Sequence, residues 1–233
     1  IKWLVLKNFT MKTFFAYFSF LFNYGLKLSL KIIFYELKFR NYYKDNTPNY
    51  IPNDKLNIKN YSSQKLTGYS PTYYYYLTQV KLFFKDKDIS FDNIYDIGFG
   101  TGRVLYFCKI FAKNLYGFEI SKTLFDIGEK KLKNEIGKSK NLELHLLNAL
   151  EFSNFKNNSL IFIYDPFTKP EDLEILLNNL SNLKNSYLVY ANPRFQEKVK
   201  CRFIEVFKFK NHNFRGLSIF RIWNHDFTKT KNL

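Results

Sequence analysis

From Pro71 onward, short apolar runs alternate with longer stretches in which apolar residues recur at helical spacing. The first of these, "PTYYYYLTQVKLFF", opens with proline at a helix's first turn and predicts a helix. Strands are predicted at Asn93–Gly98, Leu115–Ile120, Leu142–Ala149, Ser159–Asp165 and Ser186–Asn192. Helices are predicted at Gly102–Lys113, from Ser121 to about Lys138, and near Glu171–Leu183. Strand and helix alternating at this pitch means βαβ units, hence a doubly wound, mostly parallel α/β sheet with helices on both faces. The tail breaks the rhythm. "CRFIEVFKFK" and "LSIFRIW", joined by "NHNFRG", predict a hairpin that brings the sheet to seven strands and adds one antiparallel edge strand.

Upstream the pattern is different. Residues 41–70 are polar, Asn-rich and punctuated by Pro48, Pro52 and Gly68, which predicts a linker or covering segment. Residues 1–40 form a helical, aromatic-rich extension, and residues 71–233 the main domain. The only methionine is Met11, a candidate start. The uncharged run from Thr13 to Leu26 is too short to predict a transmembrane helix. No small-residue cleavage site follows it, against a signal peptide. Two readings of residues 11–39 stand open: a helix on a membrane surface with Lys27, Lys31 and Lys38 at the headgroups, or a helix docked on the domain's own apolar surface. The expected location is cytoplasmic, with the first reading placing the chain at the membrane's inner face.

Composition changes this picture little. The 233 residues are 46% hydrophobic and 20% aromatic, enough to fill a sizeable core. A net charge of +16 suggests an anionic partner, but only six of the 36 basic residues are arginine, the better bidentate phosphate donor. The lysines accompany abundant Asn, Phe, Tyr and Ile, whose codons are A/T-rich, so a solvated surface is favoured over a nucleic-acid interface. Cys108 and Cys201 form no CxxC pair, and His145, His212 and His225 show no ligand spacing, which argues against a metal site. His145 reads as a partly buried structural residue and Cys108 as a buried thiol.

The chemistry concentrates in "IYDIGFGTGR". Gly98, Gly100 and Gly102 follow a strand and open a helix, where doubly wound sheets bind ligands. The dinucleotide fingerprint is G-x-G-x-x-G, and here Arg103 stands where its last glycine belongs. Asp96, two residues before the first glycine, repels a phosphate and suits a cationic ligand.

"DIGFGTGR" resembles the D-x-G-x-G-x-G motif of class I S-adenosylmethionine-dependent methyltransferases. The resemblance covers about Tyr69 to Trp223 and implies a Rossmann-like methyltransferase fold with S-adenosylmethionine as cofactor. It implies that Asp96 acts near the donor's methionine end, that Glu119 accepts from the ribose hydroxyls, and that Asn148 contacts the adenine amine. It also sets Asp165, of "YDPF", toward the methyl group and matches the closing hairpin to the family's antiparallel seventh strand. A narrower resemblance, carried by "GYSPTYYYYL", "YDPF" and "YANP", is to a small bacterial methyltransferase-like group of unassigned substrate. It makes Tyr69 and Thr72 part of a cover over the donor; otherwise "SPT" starts a helix capped by Ser70.

"DPF" is a shortened form of the [D/N]-P-P-[Y/F/W] of amino-methyltransferases. On that resemblance Asp165 is the candidate catalytic residue, accepting a hydrogen bond from an amine or serving a hydroxyl as base, and Phe167 contacts the substrate. The alternative is that Asp165-Pro166 ends a strand and Phe167 packs against the donor. The acceptor is left open among a saccharide or lipid-linked intermediate, a protein amine and a nucleic-acid base. A donor-binding scaffold or sensor without catalysis is the second reading, and a nicotinamide oxidoreductase the third.

Overall fold

The computed structural model describes residues 25–42, 71–136, 140–209 and 216–222. Seven strands form one sheet in the order β3-β2-β1-β4-β5-β7-β6. They are β1 (Asn93–Ile97), β2 (Asn114–Glu119), β3 (Asn141–Leu146), β4 (Ser159–Tyr164), β5 (Ser186–Ala191), β6 (Ile204–Phe209) and β7 (Leu217–Ile222). β1 pairs in parallel with both β2 and β4, so chain order reverses there and a crevice opens beyond the strand ends. The predicted hairpin forms, but its antiparallel strand is not at the edge. β7 inserts between β5 and β6, antiparallel to both, and leaves β6 as the edge. Residue burial explains the order: β7 has five buried residues of six, "LSIFRI", whereas β6 alternates exposed and half-buried positions.

The helices are α1 (Leu26–Tyr42), α2 (Tyr74–Asp86), α3 (Arg103–Cys108), α4 (Lys122–Glu135), α5 (Pro170–Leu180) and α6 (Gln196–Lys200). α3 is shorter than its apolar run predicts, since the chain turns at Phe111, whose N–H donates to the carbonyl of Cys108 at 2.9 Å. β1 is buried at every position, Asn93 and Asp96 included, as a central strand covered on both faces is. Two cores cover the sheet's faces. One holds Tyr76, Leu77, Val80 and Phe84 of α2 with Ile94 and Leu105. The other holds Tyr95, Ile97 and Phe118 with Leu173, Leu176, Leu177 and Leu180 of α5.

α1 packs on the first of these cores. Ile32 and Ser29 are fully buried, and Phe39 meets the rings of Tyr74 and Phe107 at 5.5 and 5.8 Å. A buried ion pair fixes its register: Glu36 Oε2 lies 3.0 Å from an Arg103 guanidinium nitrogen, and Glu36 Oε1 accepts from the Tyr74 N–H at 2.7 Å. The α2 N-terminus is thus satisfied from another helix, and the Tyr73 side chain at its N-cap does not cap it. Among the described residues no helix is long and apolar enough to cross a membrane.

Candidate functional site

The turn after β1 is built by positive-φ glycines, with Gly98 at +77°, Gly100 at +56° and Gly102 at +82°. Its backbone is tied to β2: the Gly98 and Phe99 N–H groups both donate to the carbonyl of Phe118, at 2.8 and 3.0 Å. Gly102 has a second reason to be glycine, because a Cβ there falls 2.6 Å from the Leu132 side chain. A further glycine, absent from the sequence-level site, supports the turn from behind. Gly128 sits in the middle of α4, and a Cβ at this position meets the Gly100 carbonyl oxygen at 2.6 Å. Its signal was a lone glycine inside a helical pattern, which commonly has a packing reason.

Two buried carboxylates flank the turn. Glu119, the last residue of β2, accepts from Gly100 N at 2.9 Å through Oε2, and from Ile120 N and Ser121 N, both at 2.8 Å, through Oε1. Burial pushes its pKa up, and these three backbone donors oppose the shift. Ser121 then caps α4 by accepting from the Leu124 N–H. Asp96 is 2% exposed, and its Oδ2 finds no hydrogen-bond donor among the described residues. Burial, then the Glu119 charge, raises its pKa well above the ordinary carboxyl range.

A cleft runs beyond the ends of β1, β2, β3 and β4, with about 490 Å³ of empty space, open solvent included. Gly98, Ile120, Asn148, Phe167 and Asp172 are among the residues that line it. Asn148 lies beyond β3, which stops at Leu146; its side-chain oxygen accepts from the Leu150 N–H at 3.1 Å and caps a short 3₁₀ turn, Ala149–Glu151. One lone pair of that amide oxygen is therefore used within the chain, leaving a second for a ligand. Phe167 lines the cleft while packing into the α5-side core, so both of its sequence-level readings describe its position. Asp172, at the start of α5, is a cleft acid that sequence reasoning missed.

Asp165 stands just past β4 at φ +38°, a left-handed conformation sparsely populated by residues other than glycine. Its side chain is buried and held from the β5 side. Tyr190 donates its hydroxyl to Oδ1 at 3.0 Å, the Arg194 N–H donates to Oδ1 at 3.3 Å, and Arg194 Nε lies 3.2 Å from Oδ2. Neither Tyr190 nor Arg194 was expected at the site. Thr72 is buried, and its carbonyl accepts from Arg103 at 3.1 Å; it does not line the cleft. Tyr69 and Ser70 lie outside the described residues, as do His212 and His225. His145 is half-exposed and stacks on Phe118 at 5.1 Å, a structural placement.

No family model and no curated protein matches this chain. Solved structures do. The N-methyltransferase NodS from Bradyrhizobium japonicum WM9 superposes with a TM-score of 0.50 at 13% identity, covering 63% of this chain and 92% of that one. The same protein in complex with S-adenosyl-L-homocysteine gives a TM-score of 0.52 at 13% identity, covering 63% and 85%. With the strand order and the glycine turn, these likenesses define the class: the chain has the class I S-adenosylmethionine-dependent methyltransferase fold.

Proposed function

We propose that the protein is an S-adenosylmethionine-dependent methyltransferase. The observation that carries this reading is Asp96. A fully buried carboxyl with an unsatisfied oxygen, beside a glycine turn, is an unfavourable feature unless a cation completes it. The donor brings an ammonium and a sulfonium and no phosphate, so its charge suits this position, whereas a pyrophosphate would be repelled. Glu119 is prepositioned by three backbone donors, which use three of its acceptor sites and leave one, on Oε2, for a ribose hydroxyl. Asn148 lines the cleft where an adenine edge would be recognised. When bound, the cofactor supplies an electrophilic methyl group. The chain's own contribution is to hold the reactants in line and exclude water.

In this reading Asp165 faces the acceptor and orients it, with Phe167 packed beside it. One observation favours the second reading, a donor-binding protein without transfer: both Asp165 oxygens are already engaged by Tyr190 and Arg194. Calorimetric titration with S-adenosylmethionine, S-adenosylhomocysteine and NAD tests the cofactor. Micromolar binding of the first two, about −8 kcal/mol, lost in Glu119→Ala, is the expected result. Binding of NAD alone would overturn it. Donor binding with no methylated product in the cell changed by Asp165→Ala would favour the scaffold.

A further inference from the structure

We propose that the outward face of α1 is a docking surface for an anionic lipid bilayer. The helix is apolar on two opposite sides. Ile32, Tyr35 and Phe39 face the domain, with Glu36 clasping Arg103. On the other side Leu26, Leu30, Phe34 and Leu37 are 65%, 57%, 60% and 41% exposed. Their spacing of four, four and three residues lines them up along one stripe. An apolar stripe left in water on a helix already anchored by its other face marks an interaction surface.

Charge identifies the occupant. Lys27, Lys31 and Lys38 are exposed and lie together on one flank of the stripe. Glu36 is the only acid between Ile1 and Tyr42, and it is turned inward to Arg103. An apolar stripe with a basic flank suits acyl chains beneath anionic headgroups. A second copy fits worse, because an antiparallel or parallel pairing of these helices sets lysines near lysines, on molecules that each carry +16. Because Glu36, Arg103 and the Tyr74 N–H lock α1 to α2 and to the residue after Gly102, a bilayer on the outer face holds the domain in one orientation.

The test is cosedimentation of the full chain with phosphatidylcholine vesicles, with and without phosphatidylglycerol. Binding to the anionic vesicles is expected, and Leu30→Gln/Phe34→Gln should lower the partition coefficient by about tenfold or more. Lys27→Glu/Lys31→Glu should lower the preference for phosphatidylglycerol by about tenfold or more. The second pair keeps the apolar atoms, so a fold defect in the first cannot hide the answer. Full chain left in the supernatant overturns the proposal. So does unchanged partitioning of both variants, which would assign the contact to residues 1–24. Self-association relieved by Leu30→Gln/Phe34→Gln, without vesicle binding, would assign the stripe to a second copy. Donor affinity is measured separately, so either outcome leaves the methyltransferase reading to its own test.

Discussion

Glu119 and Asp165 are both buried acids, at the ends of the two strands that flank β1, and they are held in opposite ways. Glu119 is gripped by three backbone N–H groups from the glycine turn and from the two residues that follow it. Asp165 is gripped by the side chain of Tyr190, 25 residues away, and by the backbone and guanidinium of Arg194, 29 residues away. Backbone donors in a fixed turn cost no rotamer entropy to keep in place, so the grip on Glu119 is formed before any ligand arrives. The Arg194 side chain is 31% exposed, and water screens its pairing. The grip on Asp165 can therefore re-pair while the grip on Glu119 stays as it is.

Glu119→Ala should break this contrast most severely. It leaves the Gly100, Ile120 and Ser121 N–H groups without their acceptor, two of them buried. At about 1–3 kcal/mol for each buried orphan, a loss of about 3 kcal/mol or more is expected, with donor binding gone. Denaturant melts and calorimetry on the same sample read both. A variant as stable as the parent would mean that the backbone grip does not hold the turn.

Asp165→Ala should cost less, about 1–3 kcal/mol, because the Arg194 guanidinium can turn to solvent, leaving the buried Tyr190 hydroxyl and the half-buried Arg194 N–H without their acceptor. Donor affinity should stay close to the parent's while methyl transfer falls. A double-mutant cycle with Arg194→Ala sharpens the point: a coupling of about 0.5 kcal/mol or more is expected from residues in one network. Additive losses would show the pair to be incidental.

The same contrast decides what could be read from the chain. The glycine turn and its two acids span Asp96 to Ser121, and a turn that needs three left-handed residues must write glycine into its sequence. The surroundings of Asp165 leave no such trace, because Tyr190 and Arg194 reach it only after the sheet has folded. Arg103 shows both cases at once. Its identity argued against the dinucleotide fingerprint, but its pairing with Glu36, 67 residues upstream, is a tertiary fact. The position of β7 inside the sheet was hidden for a related reason. A hairpin's pattern predicts that two strands pair, and only the burial of their neighbours decides which of the two becomes the edge.

Gly128→Ala probes the glycine turn without touching an acid. The added methyl meets the Gly100 carbonyl, which is backbone and cannot swing away, so α4 must shift. Overpacking costs about 1–3 kcal/mol, while alanine returns up to about 1 kcal/mol of helix propensity. A net loss of about 1 kcal/mol is expected, with weaker donor binding from the displaced turn. Gain of stability with unchanged affinity would remove Gly128 from the site's support.

The smallest effect is also the most specific to the chemistry. Asp96 has its pKa raised by burial and by Glu119, so over the interval between its unfolded and folded values the native state keeps a proton that the unfolded chain releases. The stability this contributes is fully present below the unfolded value, near 3.8, and is lost as pH rises through the folded one. The slope is at most about 1.4 kcal/mol per pH unit from one group, and Asp96→Asn should flatten the profile without levelling it, because Glu119 and Glu36 are raised as well. Binding turns the same proton into a signal. An ammonium placed against Asp96 favours the carboxylate, so the cationic donor should bind with release of a fraction of one proton and more tightly as pH rises. Titrations in buffers of different ionisation heat measure that fraction, and Asp96→Asn should reduce it. A phosphate-bearing ligand at the same turn gives the opposite sign, taking up a proton to escape repulsion. Proton release unchanged in Asp96→Asn would mean that the charge completing this carboxyl is not the ligand's.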